Sequence, residues 1–376
     1  MPRTARGEVA RAGGALLVAA ALSWGCGEGP VAAPSPGTVD LAAPWATAAP
    51  GAVDMDEAAL SGAADDAAAI GRLRSLLVAR RGKLVLERYY GGADRESPAD
   101  VRSVTKSVVS TLVGIALERG ELVGLDQPVA NVLDGAGIVL TGRQRDITLR
   151  HLLSMTAGFE WDESGASGND TMLYNEWVLS GDPVGFLLER PLADPPGTRF
   201  EYNSAAVHLL GVVLEEATGS TLPAYADRVL FGPLGIGDAR WEPLGGGRVN
   251  GGSGLDLRPR DLARFGQLML QDGWSGEHSV VPAPWVREAT TRRFEWTVAA
   301  GPLASLSYGY LWWVDTERDA FLAWGFGGQF IYVSPALEVV VVATTEWRRS
   351  GEVGGPEVLA EEVLGVIVNG VLASAR

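Results

Sequence analysis

The segment from Ser103 to Glu118 reads SVTKSVVSTLVGIALE. Its apolar residues recur at positions 108, 109, 112, 113, 115 and 116, and Gly120 follows closely after it. This spacing predicts a mostly buried helix that ends at the glycine. Ser103 and Lys106 lie three positions apart at its beginning, so we expect both side chains on one face of the helix.

Segments with strand character lie on both sides of this helix in the chain. Before it, Leu76–Tyr90 has two apolar runs around Arg81-Gly82-Lys83, which predicts two strands joined by a tight turn. After it, the pattern predicts strands at Tyr308–Val314, Phe330–Val333 and Glu338–Thr345 and a last helix at Pro356–Ala373. We therefore expect a mixed α/β (α+β) fold, in which both chain ends build one sheet and residues 130 to 290 form an inserted helical lobe.

The N-terminus has the pattern of an export signal over residues 1–26. Three arginines precede the apolar stretch Ala15–Trp24, which has the length of a signal-peptide core. Cys26, the only cysteine of the chain, follows directly and resembles the lipidation site of a bacterial lipoprotein. We expect an exported protein, periplasmic or at the cell surface, that contacts the membrane only through this lipid anchor. A plain secretory signal with an incidental cysteine is the alternative.

Residues 27–64 are rich in alanine, proline and glycine and show no steady period. Such a segment buries too little apolar surface to fold alone, so it predicts a tether. The folded domain is accordingly expected at residues 65–376.

Composition and spacing exclude several classes of function. The net charge is −15 and no basic run occurs, which argues against a nucleic-acid partner. The three histidines lie far apart, and no glycine-rich segment continues into a phosphate-binding motif. We therefore expect no metal and no cofactor, and a small-molecule acyl substrate as partner, with the oligomeric state left open.

Lysine is rare in this chain, and one of its lysines lies at the start of the helix predicted after Ser103. Of the 31 basic residues, only Lys83 and Lys106 are lysines. A buried ammonium group can lose its proton, whereas a guanidinium group effectively cannot. A lysine kept three residues after Ser103 therefore indicates a group that can act as a base. The alternative is a capping serine followed by a solvent-exposed lysine.

Three segments together resemble the motifs of the serine β-lactamase and penicillin-binding protein superfamily. Arg102–Ser107 is similar to its nucleophile motif, and Phe200–Ser204 to the second motif, from which a tyrosine projects toward the nucleophile. Gly325–Gln329 occupies the place of the third motif, on the sheet edge. Further segments resemble class C-like or esterase-like members, namely Ile147–Gly158, Leu234–Ile236, Arg260–Ala263 and Tyr308–Trp313.

The resemblance implies a β-lactamase/transpeptidase-like fold with an antiparallel sheet and an acyl-enzyme mechanism. It implies that Ser103 is the nucleophile and that Lys106 and Tyr202 are its catalytic partners, with the role of base open between the two. The backbone N–H groups of Ser103 and Gly328 are expected to form the oxyanion hole. Expected substrate-binding residues are Ser204, Gly325, Gly327, Tyr174 and Trp177.

Two departures from the family pattern bear on the substrate. The third motif has Trp324-Gly325-Phe326 where β-lactamases carry a Lys or His before the glycines, and the second motif ends in Ser204 instead of Asn. We therefore expect an ester or small-amide hydrolase, similar to the carboxylesterases and 6-aminohexanoate-dimer hydrolases of the superfamily. The alternatives are a β-lactamase or D,D-peptidase, and a non-enzymatic sensor of the penicillin-binding type.

Overall fold

The computed structural model describes residues 37–163 and 170–375. In chain order the strands are β1 (Leu73–Arg80), β2 (Lys83–Tyr89), β3 (Ala99–Asp100), β4 (Arg240–Trp241), β5 (Leu255–Leu257), β6 (Trp274–Ser275), β7 (His278–Ser279), β8 (Val298–Ala300), β9 (Leu303–Tyr308), β10 (Trp313–Asp315), β11 (Ala320–Gly325), β12 (Gln329–Ser334) and β13 (Val339–Thr345). The helices are α1 (Glu57–Ala69), α2 (Val104–Glu118), α3 (Ala130–Leu133), α4 (Leu149–Leu153), α5 (Asp170–Val178), α6 (Pro183–Leu188), α7 (Ser204–Thr218), α8 (Leu222–Ala226), α9 (Pro259–Leu270), α10 (Ala283–Ala289) and α11 (Pro356–Gly365), which continues to Leu372.

The main sheet contains eight antiparallel strands in the order β2-β1-β13-β12-β11-β10-β9-β8. Strand β1, from the first part of the chain, pairs along its length with β13, so that Val78 lies opposite Val341. The expected sheet built from both chain ends is confirmed. Helices α3 to α8 lie between these ends in sequence and form the inserted lobe.

Helices cover both faces of the sheet. On β13, Val339 and Val341 belong to the cluster that includes Leu60 of α1 and Leu359 of α11. The alternate residues, among them Val340, belong to the cluster of α2 and α9. Since successive side chains of a strand point to opposite faces, a strand buried on both faces needs a continuous apolar run, which residues 339–343 provide.

Helix α2 lies in the middle of the protein. Every residue from Val104 to Ala116 is buried, as the pattern of the segment predicts. Its polar side chains are satisfied by a neighbouring loop, because Ser107 and Ser110 donate hydrogen bonds to the carbonyls of Leu311 and Tyr310. This anchorage holds Ser103 and Lys106, at the N-terminal end of the helix, in a fixed position.

The predicted single strand at Tyr308–Val314 is wrong. Strand β9 ends at Tyr308 and β10 begins at Trp313, which pair with each other across a four-residue loop. The loop includes Leu311 at a φ of 61°, a left-handed conformation that breaks a strand. The interruption places the loop carbonyls where the hydroxyls of α2 bind them.

The predicted tether is also wrong for residues 37–64, which belong to the folded domain. Leu41, Val53, Met55 and Leu60 are buried, and the backbone N–H of Leu41 donates to the hydroxyl of Ser275. A segment with few apolar residues cannot fold alone, but it can add them to a core that the rest of the chain has built. The signal segment, Cys26 and the remainder of the expected tether lie outside the described residues. Within the described ranges, no helix is both long enough and apolar enough to cross a membrane.

Candidate active site

Ser103 and Lys106 lie at the beginning of α2. Ser103 directly precedes the first helical residue, and the side chain of Lys106 is buried, with 1% of its surface exposed. The Nζ atom of Lys106 lies 2.9 Å from Oγ of Ser103, 2.8 Å from Oγ of Ser204 and 2.8 Å from the carbonyl oxygen of Gly252. The structure thus confirms that the two side chains share one face of the helix, and it excludes a solvent-exposed lysine.

Burial lowers the pKa of the Lys106 ammonium group to about 7. The negative charge of Glu163 opposes this shift, and the positive charge of Arg102 adds to it. Desolvation disfavours the charged form of a lysine, which explains the direction of the net change. A substantial fraction of Lys106 is therefore neutral near pH 7 and able to accept a proton.

Glu163 extends this network beyond the residues that the sequence indicated. The hydroxyl of Ser204 donates to Oε1 of Glu163 at 2.5 Å, and the backbone N–H of Ser204 donates to Oε2 at 3.0 Å. The indole N–H of Trp161 donates to the same Oε2 at 2.7 Å. Glu163 follows none of the family motifs and shows no periodicity, so no signal in the sequence pointed to it.

The partners of Lys106 determine which way its lone pair faces. A carbonyl oxygen only accepts, so the contact with Gly252 uses one N–H of the amine. The hydroxyl hydrogen of Ser204 is held by Glu163, so this hydroxyl accepts a second N–H. A neutral amine has two hydrogens and one lone pair, which leaves the lone pair for the hydroxyl of Ser103. The geometry therefore suits proton transfer from Ser103 to Lys106.

Ser204 is buried beside Lys106. Its side chain is 1% exposed, and its hydroxyl is shared between Lys106 and Glu163. It is the last residue of the second motif and the first residue of α7. Ser204 thus contacts Lys106, whereas its predicted contact with the substrate stays a prediction.

Tyr202 lies just before α7, whose N-terminus is capped by the side chain of Asn203. The ring of Tyr202 stacks on Trp313 with centroids 6.3 Å apart, and Nζ of Lys106 lies 4.8 Å from the ring centroid. Burial raises the pKa of its hydroxyl, and the neighbouring Ser103 hydroxyl opposes this shift only in part. The phenol therefore stays protonated at neutral pH and can serve as a proton donor. The structure brings together the three predicted catalytic residues.

The third motif forms the tight turn between β11 and β12. Gly327 and Gly328 adopt φ values of 72° and 95°, which a side chain would disfavour. A Cβ atom on Gly325 would lie 2.1 Å from the carbonyl oxygen of Val101, so this glycine lets β11 approach the segment that precedes Ser103. A Cβ on Gly327 would instead meet Trp347, at 2.5 Å.

The predicted second donor of the oxyanion hole is not available in this conformation. The N–H of Gly328 donates to the carbonyl of Gly325 at 3.2 Å and closes the turn, so it does not face an incoming oxyanion. The N–H of Ser103 donates no hydrogen bond within the described part of the chain. Ser103 therefore remains the predicted backbone donor, whereas Gly328 does not.

The two aromatic residues predicted for the pocket have different positions. Trp177 is fully buried, donates its indole N–H to the carbonyl of Pro183 and packs edge-on against Trp161 and His208, so it is a core residue and the prediction is wrong. Tyr174 is partly exposed, and its hydroxyl lies 2.6 Å from Oγ of Ser253, beside the Gly252 carbonyl that binds Lys106. Tyr174 therefore remains close to the site.

Comparisons with known proteins indicate the family of the chain. The beta-lactamase family model matches residues 52–362. Esterase EstB of Burkholderia gladioli is 34% identical over 179 residues, which are 43% of this chain and 45% of that protein. The 6-aminohexanoate-dimer hydrolase of Paenarthrobacter ureafaciens is 27% identical over 293 residues, or 73% of this chain and 72% of that protein.

Solved structures support the same fold. A candidate 6-aminohexanoate-dimer hydrolase from Bacillus anthracis aligns over 91% of this chain and 89% of its own, with a TM-score of 0.70 and 21% identity. EstCE1, a hydrolase with promiscuous acyltransferase activity, aligns over 82% of this chain and 97% of its own, with a TM-score of 0.63 and 20% identity.

The expected resemblance and fold are confirmed by these matches. The family model extends over most of the chain, including all three motifs, and the relatives include an esterase and an amide hydrolase. Ser103 and Lys106, which contact each other, lie within the matched range. The chain therefore belongs to the beta-lactamase family and is one of its serine hydrolases.

Proposed function

We propose that the protein hydrolyses carboxylic esters or small amides through an acyl-enzyme formed on Ser103. The observation that carries this proposal is the 2.9 Å contact between Oγ of Ser103 and Nζ of Lys106. The lysine is buried, has a pKa near neutrality and offers its lone pair to the serine. Such a pair makes a weak nucleophile reactive without histidine or metal.

In this mechanism Lys106 accepts the Ser103 proton while Oγ attacks the carbonyl carbon. The N–H of Ser103 stabilises the oxyanion that develops. As the tetrahedral intermediate collapses, the hydroxyl of Tyr202 donates a proton to the leaving oxygen or nitrogen, and the proton held by Lys106 replaces it. Water then attacks the acyl-enzyme with Lys106 again as base, and the acid product and free Ser103 result.

The structure favours Lys106 over Tyr202 as the base. Burial moves the pKa of the lysine down toward neutrality and moves the pKa of the tyrosine up, away from it. A base is most effective when its pKa lies near the working pH. This difference supports a division of roles that the sequence left open.

Esters and small amides are favoured over β-lactams because the third motif offers no cation. Trp324 and Phe326 stand beside its first glycine, and the matched relatives include an esterase and a 6-aminohexanoate-dimer hydrolase. A β-lactamase or D,D-peptidase remains the alternative reaction. A non-enzymatic module that binds its ligand without acylation does not need a buried lysine of lowered pKa beside the serine.

The test is turnover of p-nitrophenyl acetate and butyrate beside a chromogenic cephalosporin. We expect ester turnover that Ser103→Ala abolishes, little cephalosporin hydrolysis, and no change in Ser279→Ala, which alters an exposed serine. Intact mass after reaction with a slowly released ester should show one acyl group, absent in Ser103→Ala. Faster hydrolysis of the cephalosporin than of the esters would replace the proposal with a β-lactamase, and turnover independent of Ser103 would overturn it.

We also propose that the enzyme is exported and lipid-anchored at Cys26. The arginines, apolar stretch and cysteine of the first 26 residues support this. The test is fractionation of a bacterial host that expresses the whole chain. We expect membrane-associated protein that takes up labelled palmitate, and release into the periplasm for Cys26→Ser. A cytoplasmic location would overturn the proposal.

A further inference from the structure

Arg102 directly precedes the nucleophile, and its side chain lies between two aromatic rings. The central guanidinium carbon is 4.6 Å from the ring centroid of Trp347 and 5.4 Å from that of Tyr174. Its Nη2 donates a hydrogen bond of 3.0 Å to the hydroxyl of Tyr174. One ring belongs to the segment after β13 and the other to α5, so the guanidinium bridges two walls beside Ser103.

The charge of Arg102 has no carboxylate partner within 4.0 Å among the described residues. Asp100 is the acid that precedes it, but this carboxylate accepts from the backbone N–H of Arg102, the guanidinium of Arg348 and the indole N–H of Trp347. The Nε of Arg102 is buried, and Nη2 donates to Tyr174, whereas Nη1 donates to nothing in the described part of the chain. Among the described residues, the guanidinium group of Arg102 therefore has no ion-pair partner and keeps a donor for another group.

Neighbouring arginines show that this is unusual for the region. Arg258 pairs with Asp238, Arg260 with Glu87 and Arg348 with Asp100. The backbone of Arg102 has a φ of 49°, in the left-handed region that a residue with a Cβ disfavours. Strain of this kind persists where the surroundings enforce it, and it is concentrated at functional sites.

We propose that Arg102 binds an anionic group, such as a carboxylate, on the substrate, so that the enzyme selects acyl esters or amides that carry a negative charge. The inference rests on the proposed function, whose acyl-enzyme forms on the adjacent residue. A guanidinium group binds carboxylates through paired hydrogen bonds, and the flanking rings keep it oriented.

The net charge of the protein bears on the binding of an anionic substrate. At −15, the chain repels anions over long distances, so a preference for an anionic substrate needs a local cation. Arg348 lies on the same Trp347 ring at 4.7 Å, but its charge is paired with Asp100. It therefore provides a matched control in the same surroundings.

The experiment compares p-nitrophenyl butyrate with the mono-p-nitrophenyl ester of glutaric acid, which adds a carboxylate to a similar acyl chain. We expect the wild type to prefer the glutaryl ester in kcat/KM. Arg102→Gln should lower this preference about tenfold or more, mainly through KM for the glutaryl ester, since a charge-assisted bond of typical strength is lost. Arg102→Lys should retain part of the preference, and Arg348→Gln most of it.

Comparison of the two esters separates the inference from the proposed function. Loss of the positive charge also changes the pKa of Lys106, but this affects both esters alike and leaves their ratio unchanged. An unchanged ratio in Arg102→Gln, or no preference in the wild type, would overturn the anion site. Should that variant not fold, stronger competitive inhibition of the wild type by glutarate than by glutaramide supports the site, and equal inhibition overturns it. Should no ester be turned over, calorimetry of glutarate and glutaramide binding to the wild type decides: tighter binding of glutarate supports the site, and equal binding overturns it.

Discussion

The hydroxyl oxygen of Ser204 lies 2.5 Å from Oε1 of Glu163 and, on its other side, 2.8 Å from Nζ of Lys106. The Glu163 carboxylate is thereby held one hydroxyl away from Lys106. The carboxylate raises the pKa of Lys106, while burial lowers it. The balance of these two effects sets the pH at which Lys106 can act as a base.

Replacement of the carboxylate in Glu163→Gln should lower the pKa of Lys106 further below about 7, because the opposing charge is lost. The neutral amine then persists to lower pH, so the acid limb of the pH profile of kcat/KM shifts to lower pH. The measurement is p-nitrophenyl butyrate hydrolysis from pH 5 to 9, a range that extends to both sides of the Lys106 pKa of about 7. Glu160→Gln, at an exposed carboxylate nearby, is the control and should not shift the limb. A shift to higher pH in Glu163→Gln would contradict the electrostatic role.

Lys106→Arg should reduce kcat/KM by about 10²- to 10⁴-fold, the usual contribution of a general base. A guanidinium group keeps the positive charge but does not release its proton at accessible pH. The other lysine of the chain provides the control, since Lys83 is exposed at the turn between β1 and β2 and Lys83→Arg should leave the rate unchanged. Thermal unfolding of both variants checks that the fold persists. A Lys106→Arg enzyme of near wild-type rate would exclude proton transfer to this residue.

Local pattern was sufficient to predict the framework of the fold. The apolar spacing after Ser103 predicts α2, and the apolar runs at both chain ends predict strands that pair as β1 and β13. These elements are specified by their own sequence because each buries its side chains with a regular period. The same pattern placed Ser103 and Lys106 on one face.

Features that depend on tertiary context could not be predicted in this way. Leu41 and Met55 are buried only because the completed core offers them a surface. An aromatic residue such as Trp177 can line a pocket or fill a core, and the sequence does not distinguish the two. In the structure Trp177 is fully buried. Glu163 contacts Ser204, which lies 41 positions away in the chain. The hydrogen bond from the N–H of Gly328 to Gly325 depends on the geometry of one turn. Sequence patterns carry no information on such contacts.

Tyr202→Phe should lower kcat for esters by about 10²- to 10⁴-fold with little change in thermal stability. The ring keeps its stack on Trp313, and only the hydroxyl that we propose as proton donor to the leaving group is lost. Tyr90→Phe is the control. It removes a hydroxyl that donates to the carbonyl of Ala64, in the core cluster that includes Leu60 and Leu359. Esters with a better leaving group need less protonation, so the loss should shrink as the leaving group improves. A loss of equal size for all leaving groups would argue against this role.

Gly325→Ala should damage both stability and activity, because its Cβ would lie 2.1 Å from the carbonyl oxygen of Val101. Backbone must move to relieve such a contact, at a cost of about 1–3 kcal/mol in the free energy of unfolding. Val101 is two residues from the nucleophile, and a displacement of about 1 Å can reduce the rate about 10²-fold. Gly351→Ala is the control, since a Cβ there meets nothing within 4 Å. Denaturant unfolding and ester kinetics measure the two effects. Wild-type kinetics in Gly325→Ala would mean that the close approach of β11 does not position Ser103.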